Sequence, residues 1–377
     1  MPNILQILPE LESGGVERGT LEIAEYLVKK NYKSFVVSSG GKLEKPLTEA
    51  GSTHIYLDTY SKNPLEIIAN IFRLEKIIKE YKIDLVHARS RGPAWSAYFA
   101  AKMTNTPFLT TFHGVYSGTS YFKKLYNSVM LRGKKIITVS DFITNHISKN
   151  YGPEYADKIT RIHRGVDLEE FNDKQIDAAR VKYYRKNYNI PADKKIILFP
   201  GRITAWKGHE FFIEALSKIN YADYFVVIVG ADPVPNNCTV KLKEKITELG
   251  LENKVTIQPA IRDLVNLYAL ADLVISASLR PEAFGRTIVE AGALGKIVIA
   301  TKHGGACETI LNGDTGFLVE PHDIEDFATN LERALTLPKT QQTKLEKNAK
   351  QRIVKEFSIG KMQEKTFKLY NEILNIK

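Results

Sequence analysis

The sequence predicts an α/β protein made of two parallel-sheet halves. Short, continuous apolar runs alternate with helical periodicities along the chain. The apolar runs lack polar alternation, as expected of strands covered on both faces by crossover helices. The alternation pauses between about residues 164 and 193 and then restarts, which divides the 377 residues into two halves of domain size.

Asn3–Leu8 is the first expected strand. Val16–Lys30 follows as a helix, with Ile23, Ala24, Leu27 and Val28 at helical spacing. Ser34–Ser38 is the next strand. Pro64–Tyr81 is the strongest helical stretch, because Ile67, Ile71, Leu74, Ile78 and Tyr81 step by four and three. Asp84–Ala88, Phe108–Phe112 and Lys135–Val139 complete the strands of the first half. In the second half, Lys195–Phe199, Tyr224–Val229, Leu273–Ser276 and Ile297–Ala300 read as strands. Helices are expected at His209–Lys218, Val240–Leu249 and Arg286–Leu294. The tail, Ile324–Lys377, reads as helix throughout. The expected domains are 1–170 and 193–357, with a linker over 171–192.

Composition narrows the class. Apolar residues make up 44% and charged residues 25%, which excludes wholesale disorder. Cys238 and Cys307 stand 69 apart with no C-x-x-C, which argues against a disulfide framework or zinc site and for a reducing compartment. The longest apolar runs, such as Phe225-Val226-Val227-Ile228-Val229, are far below the roughly 20 residues a spanning helix needs. The first residues carry no basic leader, so a cytoplasmic, soluble protein is expected.

Ligands of parallel sheets bind outside the carboxyl ends of strands. The candidate motifs fall on such loops. Pro9-Glu10-Leu11-Glu12-Ser13-Gly14-Gly15 precedes a helix, where backbone N–H groups can approach an anion. It is not G-x-G-x-x-G, so no dinucleotide site is indicated. Pro200-Gly201-Arg202-Ile203-Thr204-Ala205-Trp206-Lys207-Gly208 places a forked cation and a mobile one after a strand. Together they could clamp a diphosphate, although an isolated pair could equally be two solvated cations. Arg280-Pro281-Glu282-Ala283-Phe284-Gly285-Arg286-Thr287-Ile288-Val289-Glu290 carries two glutamates eight apart. Pro281 and Gly285 put Glu282 in the loop and Glu290 in the following helix. The N–H groups of Arg286, Thr287 and Ile288 would then face a phosphate, Glu290 a ribose diol, and Glu282 sugar hydroxyls. The plain alternative is a loop acid and a first-turn acid favoured by the helix dipole. His303-Gly304-Gly305-Ala306-Cys307-Glu308 follows a further strand, and His113 ends Thr110-Thr111-Phe112-His113-Gly114. A histidine there could donate a proton or a hydrogen bond near neutral pH.

These motifs occur in one order: the Gly-Gly loop, Gly-Arg-x4-Lys-Gly, Glu-x7-Glu, and Gly-Gly-x-x-Glu followed by Asn312-Gly313-Asp314-Thr315-Gly316-Phe317-Leu318-Val319. In that order the chain resembles the retaining glycosyltransferases of family 4. The resemblance implies the GT-B fold: two Rossmann-like domains facing across a cleft, with a final helix, 358–377 here, crossing back to the first domain. It implies that Arg202 and Lys207 hold the donor diphosphate, that Gly15 closes on the phosphates, and that Glu290 binds the ribose. Glu282 would bind the transferred sugar beside His113, and Gly285, Arg286, Thr287 and Ile288 would complete the donor site. No divalent metal and no other cofactor is implied; the nucleotide-sugar is a substrate. The catalytic set is then His113, Glu282, Arg202 and Lys207.

Two departures from the family pattern stand out. His163-Arg164-Gly165-Val166-Asp167 replaces Asn-Gly-Val-Asp, and Gly230-Ala231-Asp232-Pro233 replaces a Gly-Asp/Glu-Gly turn. The segment 87–96, with Arg164-Gly165-Val166-Asp167, is similar to mannosyltransferase-like members assigned to bacterial lipopolysaccharide core assembly.

The charge of +10 is concentrated. Positions 85–140 hold eight bases and no acid, a net of +8. Within them Tyr121, Phe122, Leu125, Tyr126 and Val129 form an apolar stripe beside Lys123 and Lys124. Such a helix could lie on an anionic membrane or pack into the core with its lysines solvated. The expected acceptor is an anionic, lipid-linked saccharide at the cytoplasmic face of the inner membrane, met by Arg89, Arg91, Lys123 and Lys124. The rival readings are an epimerase or phosphorylase on the same fold, and a non-catalytic binder of an anionic polymer such as RNA. The latter lacks interleaved aromatic platforms, so no nucleic-acid partner is expected.

Overall fold

Two separate parallel sheets organise the chain. In the computed structural model the described residues are 1–12, 14–61, 63–116 and 120–376. Ser13 of the first glycine loop and Lys377 of the expected crossing helix lie outside them.

The first unit comprises Met1–Arg164 and Ile359–Lys377. In chain order it contains β1 (Asn3–Ile7), α1 (Gly15–Lys29), β2 (Lys33–Ser38), α2 (Glu44–Glu49), β3 (Thr53–Tyr56), α3 (Pro64–Glu80), β4 (Leu85–Ala88) and α4 (Arg91–Met103). There follow β5 (Phe108–Phe112), α5 (Tyr121–Asn127), β6 (Lys135–Thr138), α6 (Asp141–Tyr151) and β7 (Ile159–Arg161). The sheet order is β3-β2-β1-β4-β5-β6-β7, parallel throughout. Helix starts follow capping chemistry: Asn63 accepts the Leu65 amide at 3.0 Å ahead of Pro64, and Ser140 accepts the Ile143 amide at 3.2 Å.

The second unit comprises Gly165–Ser358. It contains α7 (Ala178–Asn187), β8 (Lys195–Pro200), α8 (His209–Leu216), β9 (Tyr224–Ala231), α9 (Asn237–Glu248), β10 (Val255–Pro259), α10 (Leu264–Leu270) and β11 (Leu273–Ser276). Then come α11 (Arg286–Ala293), β12 (Ile297–Thr301), α12 (Ala306–Thr309), β13 (Phe317–Val319), α13 (Ile324–Leu335) and α14 (Lys339–Glu356). Its sheet order is β10-β9-β8-β11-β12-β13, again parallel. Alternate residues of one strand feed opposite cores: Ile196 and Leu198 of β8 join one cluster, Ile197 and Phe199 the other. Both faces are therefore buried, which is why the strands read as continuous apolar runs.

Two expected boundaries change. The segment 171–192 is not a free linker. Phe171, Tyr184, Tyr188 and Ile190 are buried in one core of the second unit with Tyr268, and the Tyr184 hydroxyl donates to Asp263 at 2.9 Å. The tail is not one helix. It breaks near Pro338 and again at Phe357 and Ser358, and its last helix, α15 (Ile359–Leu374), packs Leu369, Tyr370 and Ile373 onto Ile4, Leu85, Leu109 and Ile137 of the first sheet.

Candidate active site

Strand order reverses once in each sheet, between β1 and β4 and between β8 and β11. Loops at the carboxyl ends of strands beside such a reversal leave a crevice that open α/β sheets use for ligands. The predicted motifs lie on these loops and on their neighbours.

In the second unit, three loops are drawn together by close backbone approach. Gly208 has φ 76°, and a Cβ there would stand 2.0 Å from the Ala277 carbonyl oxygen. Only glycine lets the loop after β8 dock on the end of β11, where the Leu279 amide donates to the Trp206 carbonyl at 2.7 Å. Gly304, at φ 59°, approaches in the same way: its Cβ would lie 2.3 Å from the Glu282 carbonyl oxygen, and the Gly305 amide donates to that oxygen at 2.9 Å.

The result is a polar cluster. Lys207 Nζ donates to Glu282 Oε1 at 2.8 Å, with both side chains about one-fifth exposed at 19% and 20%. Ser278 Oγ donates to the same oxygen. The ammonium lies 4.6 Å from the Trp206 ring centroid. His303 lines a small cavity with Ser278, Glu282, Gly285 and Ile288, and burial holds its ring below the usual histidine range.

A second cavity, of about 180 Å³, is lined by Gly201, Arg202, Gly230, Tyr268, Thr287 and Glu290, among others. Arg202 is exposed and Glu290 is buried. Glu290 Oε1 accepts from Arg286 Nε at 3.2 Å and Oε2 from the Tyr268 hydroxyl at 3.1 Å. Burial, reinforced by Glu290, pushes the Tyr268 phenol well above its ordinary value, so it remains a donor. The Ile288 amide donates to the Gly285 carbonyl at 3.1 Å. It is therefore not available to an anion as expected, and the first-turn amides of α11 left for one are those of Arg286 and Thr287.

In the first unit, His113 and Arg89 line a narrow cavity with Arg164 and Thr111. Arg164 Nη1 donates to His113 Nδ1 at 3.2 Å, and Nη2 donates to the Gly15 carbonyl oxygen at the start of α1. A guanidinium has no acceptor, so Nδ1 carries the lone pair and Nε2 the hydrogen. Burial first, then Arg89, Arg164 and His87, hold the His113 ring well below the usual value. His113 is thus placed to donate a hydrogen bond from Nε2, and its surroundings disfavour a second proton on the ring. His87, behind it, is satisfied on both nitrogens by the Tyr370 and Thr111 hydroxyls at 2.7 Å each.

The four expected acceptor cations do not act as one group. Arg89 is only 4% exposed and lies in the His113 cavity, whereas Arg91 lines a different, larger one. The chain direction explains this: Arg89 follows directly on β4, and Arg91 begins α4. Lys123 and Lys124 are exposed on α5, beside Tyr121 and Phe122, which are 74% and 80% exposed. The stripe is thus not packed into the core at those positions, although Val129 is. Sequence reasoning gave no role to Ser278, Tyr268, His303 or Arg164. Of these, Arg164 carried a signal, its departure from the family pattern.

The family description "Glycosyltransferase Family 4" matches residues 13–170, and "Glycosyl transferases group 1" matches 181–352. A solved glycosyltransferase from Rickettsia africae ESF-5 is 44% identical, with 99% of this chain and 98% of that one covered and a TM-score of 0.91. The Anabaena protein HepE, solved in complex with UDP-glucose, is 23% identical over 99% of this chain and all of its own, with a TM-score of 0.85, and so shares the fold. The D-inositol 3-phosphate glycosyltransferase of Mycolicibacterium smegmatis is 34% identical over 182 residues, and the match spans 47% of this chain and 40% of that protein. With two Rossmann-like parallel sheets and family matches across both, the chain belongs to the family 4 glycosyltransferases of the GT-B fold.

Proposed function

We propose that this glycosyltransferase is a retaining, metal-independent hexosyltransferase. Its donor would be a nucleotide-sugar, with a UDP-hexose the first candidate because HepE binds UDP-glucose on the same fold. Its acceptor would be an anionic, lipid-linked saccharide of cell-envelope glycan assembly, such as lipopolysaccharide core. The observation that carries this reading is the Lys207–Glu282 pair beside the first turn of α11, with Arg202 and Glu290 lining the adjoining cavity.

In this reading Arg202, Lys207 and the Arg286 and Thr287 amides stabilise charge on the departing diphosphate, the role a metal ion plays elsewhere. Glu290, with lone pairs left beyond its two bonds, accepts from the ribose. Glu282 orients sugar hydroxyls, and His113 donates from Nε2 to the sugar. The bond from sugar C1 to the phosphate oxygen breaks. The acceptor hydroxyl closes on C1 from the same face, and its proton passes to the departing phosphate oxygen. The exposed Tyr121 and Phe122 beside Lys123 and Lys124 suit peripheral contact with an anionic membrane from the cytoplasmic side. Among the described residues no helix is long and apolar enough to cross one.

Incubation with UDP-, GDP- or ADP-hexose and a phosphorylated lipid-linked saccharide tests this. Mass spectrometry should find one added hexose, and NMR should find the donor's anomeric configuration kept. Lys207→Ala should lower turnover by roughly 10²-fold or more with folding intact. An inverted product would sink the stereochemical claim, a trapped covalent glycosyl-enzyme the same-face step, and near-normal activity of Lys207→Ala the diphosphate assignment.

A further inference from the structure

The largest cavity described in the first unit shares no lining residue with the His113 cavity. It measures about 410 Å³, within the roughly 300–1,000 Å³ typical of small-molecule sites. It opens at the N-terminus of α4. We infer that it is a subsite for an oxyanion-bearing sugar, a uronic acid or a sugar phosphate, read by Arg91. The further claim that this sugar belongs to the acceptor rests on the transferase reading above.

Four observations support the assignment. First, Arg91 is pre-positioned. Its guanidinium carbon lies 4.9 Å from the Tyr116 ring centroid and 5.6 Å from that of Tyr126, and Nη1 donates to Asn127 Oδ1 at 2.7 Å. A guanidinium carries five N–H donors in a rigid fork, so the Asn127 bond leaves donors for a carboxylate or phosphate. Holding it between two rings lowers the entropy lost on binding.

Second, the walls suit carbohydrate. Tyr60, which is 60% exposed, lines the cavity together with Ser61 and Ser90, while Tyr116 and Tyr126 form the wall that holds Arg91. Third, α4 has 13 residues, and its N-cap Ser90 makes no side-chain capping bond among the described residues. Pro93 carries no N–H, so the first-turn amides left for an anion are those of Arg91 and Gly92, and the helix dipole has the right sign. Fourth, the surrounding charge agrees. Positions 85–140 contain no acid, and the nearby Asp58 already uses Oδ1 to accept the Tyr60 and Ser61 amides, at 3.2 and 3.1 Å.

Gly92 provides a test that spares Arg91. A Cβ there would meet only the Pro9 Cγ at 3.7 Å and the Thr59 carbonyl oxygen at 3.9 Å, both ordinary contacts. Gly92→Leu should therefore fill the cavity on a folded chain. The experiment is calorimetric titration of the full chain with methyl glucuronide, glucose 6-phosphate, methyl glucoside and inorganic phosphate. UDP binding, followed by thermal shift, is the separate readout of the donor site.

A charged sugar should bind at least tenfold tighter than methyl glucoside, and whichever of the two binds better identifies the oxyanion. Glucose 6-phosphate should also bind more tightly than inorganic phosphate. Arg91→Gln should erase the preference for charge, and Gly92→Leu should weaken the charged sugars at least tenfold. Equal binding of methyl glucoside, binding unchanged in both variants, or no binding of either charged sugar would overturn the inference. If UDP stabilises the protein while sugar binding ignores Arg91 and Gly92, the subsite fails alone. If UDP has no effect while the charged sugar still binds through Arg91, the transferase reading fails and the subsite stands.

Discussion

An imidazole enclosed beside two guanidiniums is disfavoured from taking up a second proton. His113 meets Arg89 and Arg164, His87 meets Arg89, and His209 stacks on Phe199 at 4.0 Å near Lys207. Burial is the largest cause in each case; the cations add to it, and His209 is pushed down to about 3. Below about pH 6.5 the unfolded chain takes up protons that these rings refuse in the folded state. Stability is therefore full above that pH and is lost as pH falls toward the folded-state values, between about 6.5 and 3 for His209. Urea unfolding at a series of pH values should show this decline, and His209→Phe should flatten it by about one proton; an unchanged slope would refute the assignment. The site's charged residues were legible in the sequence because Arg202, Lys207, Glu282 and Glu290 fall on or just past loops that follow strands. Partners fixed by tertiary approach were not. Tyr268 reaches Glu290 across 22 positions and Arg164 reaches His113 across 51, and no local spacing encodes either.

At the scale of elements, burial separates what could be read from what could not. The nine central strands, buried on both faces, stand within two residues of their predicted ends. The four missed strands, β3, β7, β10 and β13, are the four sheet edges. Three of them are mostly half-buried or exposed, and β13 is only three residues long, so none shows a sustained apolar run. The segment 171–192 misled for the opposite reason. The charges of α7, from Arg180, Lys182, Arg185 and Lys186, suggest a solvated linker, while Tyr184 on the same helix is buried beside Tyr268 and Phe171. Phe171→Ala should therefore cost the second unit about 3–5 kcal/mol, as removal of a fully buried phenylalanine does elsewhere. Denaturant titration would measure it, and a loss below about 1 kcal/mol would restore the linker description.

Across the whole molecule, both units follow one plan. Each sheet reverses strand order once, and each places its charged loops at the carboxyl ends beside that reversal. The motif order in the sequence was enough to expect this repetition. The sequence could not tell how the basic run divides. Within 85–140, Arg89 is enclosed with His113, Arg91 opens on a separate cavity, and Lys123 and Lys124 stay in solvent. In the proposed function the chemistry of the second unit rests on Lys207, whose ammonium is paired with Glu282 and would exchange that carboxylate for a diphosphate. The most direct measurement is the melting temperature of the full chain titrated with UDP, GDP and ADP, alone and with Lys207→Ala. At least one nucleoside diphosphate should raise it by several degrees at saturation, as ligand linkage requires, and the alanine variant should lose most of that rise. No stabilisation by any of the three, or stabilisation that survives loss of the lysine, would contradict the account.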